Sequence, residues 1–326
     1  MALRVLGAGP VLILVALCIA IAIARPVFFT VVNLQNVLLQ SSAVAILAIG
    51  SLVVIVTGGI DLSIGSTMAL ATVIGWLVFQ PLGASSGILV VLAMIGLGLV
   101  VGLVNGLAYV LGRIPHPFIV TLAMLSIAQS IGTVITHGQP LPGMPDLVNW
   151  LGRGFIGVIP VPALLVAIVA ILASLFLKRT QWGRWIFAVG GDTEAAKRMS
   201  IPVPGVLISA YVICGGMAGL AGVLLAGNIG GASATVGQSA GGLLDAIAAV
   251  IIGGASILGG RGTVFNCLIG ALLIGVIRNG LALMGFSPFL QGLLVGTTIL
   301  LAVQLDVVRT MVERRIRTIQ ANVGAL

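Results

Sequence analysis

Ten apolar segments follow one another along this chain, near residues 6–24, 35–57, 63–79, 87–111, 117–136, 158–177, 205–226, 243–257, 264–283 and 288–305. A helix needs about 20 such residues to cross a hydrocarbon core of about 30 Å, so the pattern dictates a membrane protein. Charge agrees with this: only 7% of the 326 residues are Asp, Glu, Lys or Arg, against about 25% in soluble domains. Such a chain has too few charges to cover a water-facing surface. Because backbone groups in lipid must find partners within their own segment, the expected fold is all-α. It is a polytopic membrane helical bundle of about ten transmembrane spans, including short or broken helices.

Orientation follows from the basic residues, which concentrate on the cytoplasmic side of membrane proteins. One loop carries Lys178, Arg179, Arg184, Lys197 and Arg198, and the end of the chain carries Arg309, Arg314, Arg315 and Arg317. Both belong inside, so an even number of spans separates them. That parity holds only if the short 243–257 segment is a full crossing. Ten spans then put both termini in the cytoplasm with Arg4, Arg113 and Arg261, leave Arg25 and Arg153 outside, and strand Arg278 within a span. A signal peptide at the N-terminus is the alternative for the first segment, although such apolar regions are usually shorter. The expected organisation is a transmembrane domain over 1–306 with a cytoplasmic loop at 178–204, followed by a basic cytoplasmic tail over 307–326.

Several function classes are excluded by what the residues lack. The basic residues have no aromatic platform beside them, which argues against nucleic acid. Gly237-Gln238-Ser239-Ala240-Gly241 matches the hydrolase elbow, but the only histidines, His116 and His137, precede it, whereas that motif needs a later His. No Gly-Lys pair occurs, so there is no phosphate-binding P-loop; no cofactor is expected in this chain, and any ATP is bound by a partner. Two His and seven scattered acids show no metal-ligand spacing. Cys18, Cys214 and Cys267 lie in apolar runs and read as small core residues. Gly98, Gly102 and Gly106, and again Gly215 and Gly219, recur every four residues, the spacing that lets membrane helices approach closely.

Polar residues at membrane depth carry the functional signal, since an Asp at a helix centre costs roughly 2.5–3.5 kcal/mol. Asp61, Asn105, Gln129, Asn228, Asp245, Asn279 and Gln291 are the candidates for a substrate path. The competing reading for each is an interhelical hydrogen bond. Uncharged groups of this kind suit a hydroxylated solute better than an ion. Two interruptions, at 58–65 and 253–263, break apolar sequence with Gly clusters followed by the capping residues Asp61 and Thr263. Interrupted helices mark translocation sites; simple tight turns at the cytoplasmic face are the alternative. In the loop, Asp192 or Thr193 caps a short helix with Glu194 in its first turn and Lys197 and Arg198 in its last. A helix of about two turns is too short to stand alone and is expected to rest on a partner, a solvated loop being the plain alternative.

The runs Gly58-Gly59-Ile60-Asp61-Leu62-Ser63-Ile64-Gly65, Ala188-Val189-Gly190-Gly191-Asp192-Thr193-Glu194-Ala195-Ala196-Lys197-Arg198, Leu244-Asp245-Ala246-Ile247-Ala248-Ala249-Val250 and Gly259-Gly260-Arg261-Gly262 occur in that order. Together they resemble the ribose/galactose-type ABC sugar permeases of the branched-chain amino-acid/ribose permease superfamily, over roughly residues 30–306. The resemblance implies the membrane permease subunit of a prokaryotic importer in the cytoplasmic membrane. It also implies a second permease copy, ABC ATPase subunits that bind ATP and Mg²⁺, and a soluble sugar-binding protein on the outer face. It makes Gly190, Gly191, Asp192, Glu194, Ala195, Ala196 and Arg198 the ATPase-coupling element. The family often has Glu where this chain has Leu243, and Asn-Asn-Gly where it reads Arg278-Asn279-Gly280; both departures fall where the outer cavity is expected. An ion-coupled secondary transporter of a small polar solute is the alternative function.

Overall fold

The computed structural model describes residues 9–235, 242–287, 290–298, 300 and 304. Twelve α-helices span α1 Gly9–Ala24, α2 Val31–Val56, α3 Ile64–Leu82, α4 Gly87–Leu111, α5 Pro117–Thr136, α6 Asp146–Arg153, α7 Val161–Arg179, α8 Gln181–Gly191, α9 Thr193–Arg198, α10 Val203–Ile229, α11 Leu243–Ile252 and α12 Val264–Leu283. Residues 290–298 are helical as well. Seven of these, α2, α3, α4, α5, α7, α10 and α12, are long and apolar enough to cross a membrane. The expected tenth span is thus described only in part, while Arg4, the 237–241 motif and the tail from 307 lie outside the described residues.

Caps set where the helices start. Thr30, Thr180 and Thr263 each accept a hydrogen bond from the backbone N–H three residues on, filling one of the four donors a helix start leaves unpaired. Pro117 opens α5 while His116 accepts from the Phe118 N–H. Packing then follows from small residues. Along α4 and α10 a β-carbon at Gly98 would run into the carbonyl oxygen of Gly215, and one at Gly102 into that of Tyr211. This backbone contact is what the four-residue glycine spacing predicts.

These contacts define two ends of the bundle. Gly106 near the end of α4 meets Ile208 near the start of α10, Gly183 of α8 packs on Leu177 at the end of α7, and Gly190 meets Val56 at the end of α2. At the opposite end Gly152 of α6 packs on Gly227, and two short antiparallel ladders pair β1 Leu141–Pro142 with β4 Gly231–Ala232 and β2 Phe155–Ile156 with β3 Ile159–Pro160. Arg113, Lys178, Arg179, Arg184, Lys197, Arg198 and Arg261 belong to the first end, and Arg25 and Arg153 to the second. We refer to them as the basic end and the α6 end.

The crossing that parity assigned to 243–257 is built differently from a single span. Helix α11 stops at Ile252 and has 10 residues, a rise of about 15 Å, half the hydrocarbon thickness. Just after β4 the Ser233 N–H donates to Thr72 Oγ1 at 3.1 Å, and Ala234 lies against Gly132. Residues 231–235 are thus non-helical and packed on α3 and α5, and the half-helix α11 runs toward the basic end. Such backbone is tolerated at depth because surrounding helices cover it.

Between the ends lies a continuous dry core of Ile46–Ile49 and Leu52 on α2, Cys214, Ala218 and Ala221 on α10, Ala246, Ala248, Ala249 and Val250 on α11, and Cys267, Ala271 and Ile274 on α12. Large apolar side chains such as Ile88, Leu92, Ile171 and Leu172 face outward, as a lipid-facing surface requires.

Candidate functional site

A cavity of 330 Å³ lies in the half of the bundle nearer the α6 end, walled by α2, α10, α11 and α12. Its polar lining comes from Gln40, Ser41, Asn228, Asp245, Arg278 and Gln291, its apolar lining includes Val44, Met68, Leu224 and Ile274, and Gly152 and Pro162 complete its rim. The volume falls within the range of small-molecule sites.

Asp245 and Arg278 are joined across this wall. Arg278 Nε donates to Asp245 Oδ2 at 2.9 Å and Nη2 to Oδ1 at 2.8 Å, the planar two-point pairing that favours Arg. Asp245 sits in the first turn of α11, where the helix dipole favours an anion, and Arg278 projects from α12. Their side chains are 2% and 15% exposed, so each neutralises a charge that would be costly alone. Two of the five guanidinium N–H groups are used in this pair, and Arg278 itself lines the cavity.

The other polar candidates separate into distinct places. Asn228 and Gln291 line the same cavity, Gln291 also donating to the Phe286 carbonyl at 3.1 Å. Asn279 does not line it. It exchanges two hydrogen bonds with Asn33 of α2, at 3.0 and 2.9 Å, and Asn33 donates onward to the Phe28 carbonyl. Gln129 lies on α5, half-buried and away from the cavity.

Asp61 and Asn105 meet elsewhere. The turn after α2 folds back inside the bundle with Thr57, Asp61 and Ser63 all buried. Asp61 Oδ1 accepts from the Ser63 N–H at 2.8 Å and the Ser63 hydroxyl at 2.7 Å, and Ser63 Oγ accepts from Asn105 Nδ2 at 2.8 Å. Six residues before the end of α4, Asn105 sits about 9 Å in from the basic end. The first interruption is therefore a covered turn at depth. The second, 253–263, lies at the basic end, with Leu258 exposed and Ser256 bonded to the Arg261 carbonyl at 3.0 Å.

At that end the loop helices meet both interruptions. A β-carbon on Gly190 would collide with the Val56 carbonyl, and the Gly260 N–H donates to that same oxygen at 2.9 Å. Asp192 caps α9, accepting from the Glu194 and Ala195 N–H groups at 2.9 Å each, and Lys197 pairs with Glu194 at 2.7 Å. Gly191, Ala195 and Arg198 are exposed. Ala196 is 3% exposed and belongs to the core, so the short helix offers one of its two alanines outward. Among the described residues no three His, Cys, Asp or Glu side chains converge as a metal site.

The model of the branched-chain amino acid transport system / permease component family matches residues 33–303. The chain belongs to this permease family. Among its relatives, the ribose import permease protein RbsC of Escherichia coli (strain K12) is 40% identical over 301 residues, covering 90% of this chain and 92% of the relative. The probable ABC transporter permease protein y4mJ of Sinorhizobium fredii (strain NBRC 101917 / NGR234) is 36% identical over 294 residues, covering 90% and 86%. The fructose import permease protein FrcC of Rhizobium meliloti is 37% identical over 310 residues, covering 92% and 85%. No solved structure matches. The chain is thus a multi-pass membrane permease of this family.

Reading the sequence missed Gln40, Ser41 and Asn33, and it noted Arg278 only as a charge within a span and a departure at the outer cavity, without pairing it with Asp245. A signal existed for Arg278 alone: an Arg within a span demands a partner, and Asp245 precedes it by one short helix and a turn.

Proposed function

We propose that this permease works in an ATP-driven importer and passes a monosaccharide or a related small hydroxylated solute through the 330 Å³ cavity. The carrying observation is a cavity of that size whose one ionic pair is internally neutralised, in a chain related to ribose and fructose import permeases. Amide and hydroxyl groups of Gln40, Ser41, Asn228 and Gln291 suit sugar hydroxyls, and the paired Asp245 and Arg278 leave no net charge to attract an ion. None of the relatives above is named an ion-coupled carrier.

In this reading the basic end faces the cytoplasm, because seven basic residues belong there against two at the other end. Both termini are then cytoplasmic. A soluble binding protein delivers solute at the α6 end. The sequence holds no Gly-Lys pair, so ATP and Mg²⁺ are bound by ABC ATPase subunits that dock on the exposed face of α9 and the end of α8, through Gly191, Glu194, Ala195 and Arg198. A second permease copy completes the channel. Uptake of labelled ribose and fructose by cells with and without the partner ATPase tests the proposal: accumulation that depends on the ATPase supports it, and accumulation of either sugar that is unaffected by its removal contradicts it.

A further inference from the structure

The cavity is closed toward the basic end by a layer of fully buried side chains, and α11 supplies one side of that layer. Three properties set α11 apart from the other helices in it. It is short, and its C-terminal end passes into a turn where Gly254, Gly259 and Gly260 take φ values of +82°, +88° and +72°, a conformation that leaves it unconnected to any continuous helix. Its contact with α12 is made by small groups: Gly270 admits no β-carbon against the Ala249 carbonyl, and Gly253 none against that of Asn266. Finally, the Asp245–Arg278 pair is the one side-chain hydrogen-bonding tie of α11 among the described residues.

The same helix is attached to the docking loop. The turn that ends it is bonded through the Gly260 N–H to the Val56 carbonyl, and Gly190 of α8 packs on both without space for a single carbon. A displacement of the loop therefore reaches the lower end of α11 directly, while the upper end is held by Arg278. Helix α12 is a firm anchor at that level, since Gly275 packs against the Ser41 side chain of α2 too closely for a β-carbon.

We propose that α11 is the inner gate of the solute path and that Arg278 is the positioning residue that holds it shut, acting through Asp245. The inference rests on the transport reading above. When the loop moves, the paired charges part or pivot, the half-helix slides along α12, and the cavity opens toward the basic end. Arg278 itself lines the cavity, so an arriving hydroxylated solute meets the arginine that holds the helix.

Face-specific labelling of the full chain in membrane vesicles tests this without sugar or ATPase. Gln40 lines the cavity, and Gln40→Cys is introduced in a Cys18→Ala background, since Cys214 and Cys267 are buried. A membrane-impermeant maleimide is applied to vesicles of each orientation. With the pair intact, labelling is expected only from the α6 end. Asp245→Asn and Arg278→Gln are each expected to raise labelling from the basic end at least tenfold while labelling from the α6 end persists, which reports an intact cavity. Asn279→Ala breaks a different tie on the same helix and is expected to leave the basic end closed. Unchanged basic-end labelling in both pair variants overturns the gate, as does equal opening by Asn279→Ala, which would mean general loosening. Absence of ribose or fructose uptake would count against the solute reading alone and leave the labelling result standing.

Discussion

Gly190 lies against the carbonyl oxygen of Val56, with no room for a β-carbon between the loop helix and the end of α2. This contact locks the basic loop to the body of the bundle at a point where the Gly260 N–H also bonds. Gly190→Val forces these backbones apart and is expected to lower stability by about 1–3 kcal/mol, the usual cost of overpacking. The Gly191 neighbour has open space around it, and Gly191→Ala is expected to change the melting temperature little. Thermal unfolding in detergent distinguishes the two; equal effects would show that the junction is not tight.

The seam between α4 and α10 makes a second contrast within one helix. Gly102 faces the Tyr211 carbonyl, whereas Gly96 has nothing within 4 Å of where a β-carbon would sit. Gly102→Val is expected to prevent close helix approach and reduce the amount of folded protein recovered from membranes several-fold. Gly96→Val is expected to match the parent chain in yield and melting temperature.

Asn279 and Asn228 separate a structural from a path role. The double hydrogen bond between Asn279 and Asn33 ties α12 to α2, so Asn279→Ala is expected to cost about 1 kcal/mol, typical of interhelical bonds in membranes. Asn228 lines the cavity, so Asn228→Ala is expected to lower the maximal uptake rate several-fold at unchanged stability. Uptake and melting measured on the same preparations check both expectations.

Ala195 and Ala196 differ in the same way at the docking helix. Ala195 is exposed and Ala196 is in the core. Ala195→Arg is expected to abolish co-purification of the ATPase while leaving the melting temperature near the parent value. Ala196→Arg places a cation in the dry core and is expected to prevent folding, by several kcal/mol. Normal ATPase capture by Ala195→Arg would remove α9 as the docking element.

The long helices were legible because each is a run of about twenty apolar residues with a capping or breaking residue at its edge, and the glycine seam because a four-residue spacing maps directly onto one helix face. The short helix α11 was read as a crossing only through charge parity, since residues such as Ser233 before it are non-helical, lack periodicity and are held by neighbours such as Thr72. The cavity was half legible. Asp245, Asn228 and Gln291 stood out as polar residues in apolar runs, but so did Asn279 and Gln129, and which of these face one another is set by helix rotation rather than by composition. Arg278 was noted only as an unexplained charge within a span, because a buried guanidinium is meaningful only with its carboxylate in view, and the two are 33 residues apart. Ala196 looked like a docking residue because the sequence shows its size and not the side on which the two-turn helix lies.

The most direct test is sugar accumulation in proteoliposomes holding this permease, its partner ATPase and a loaded binding protein, with ribose and fructose as probes and ATP on the side of the basic end. Uphill accumulation is expected only with hydrolysable ATP, and is expected to fall to background with Ala195→Arg. Accumulation driven by an imposed proton or sodium gradient, in the absence of the ATPase, would contradict an ATP-driven permease and establish the ion-coupled alternative.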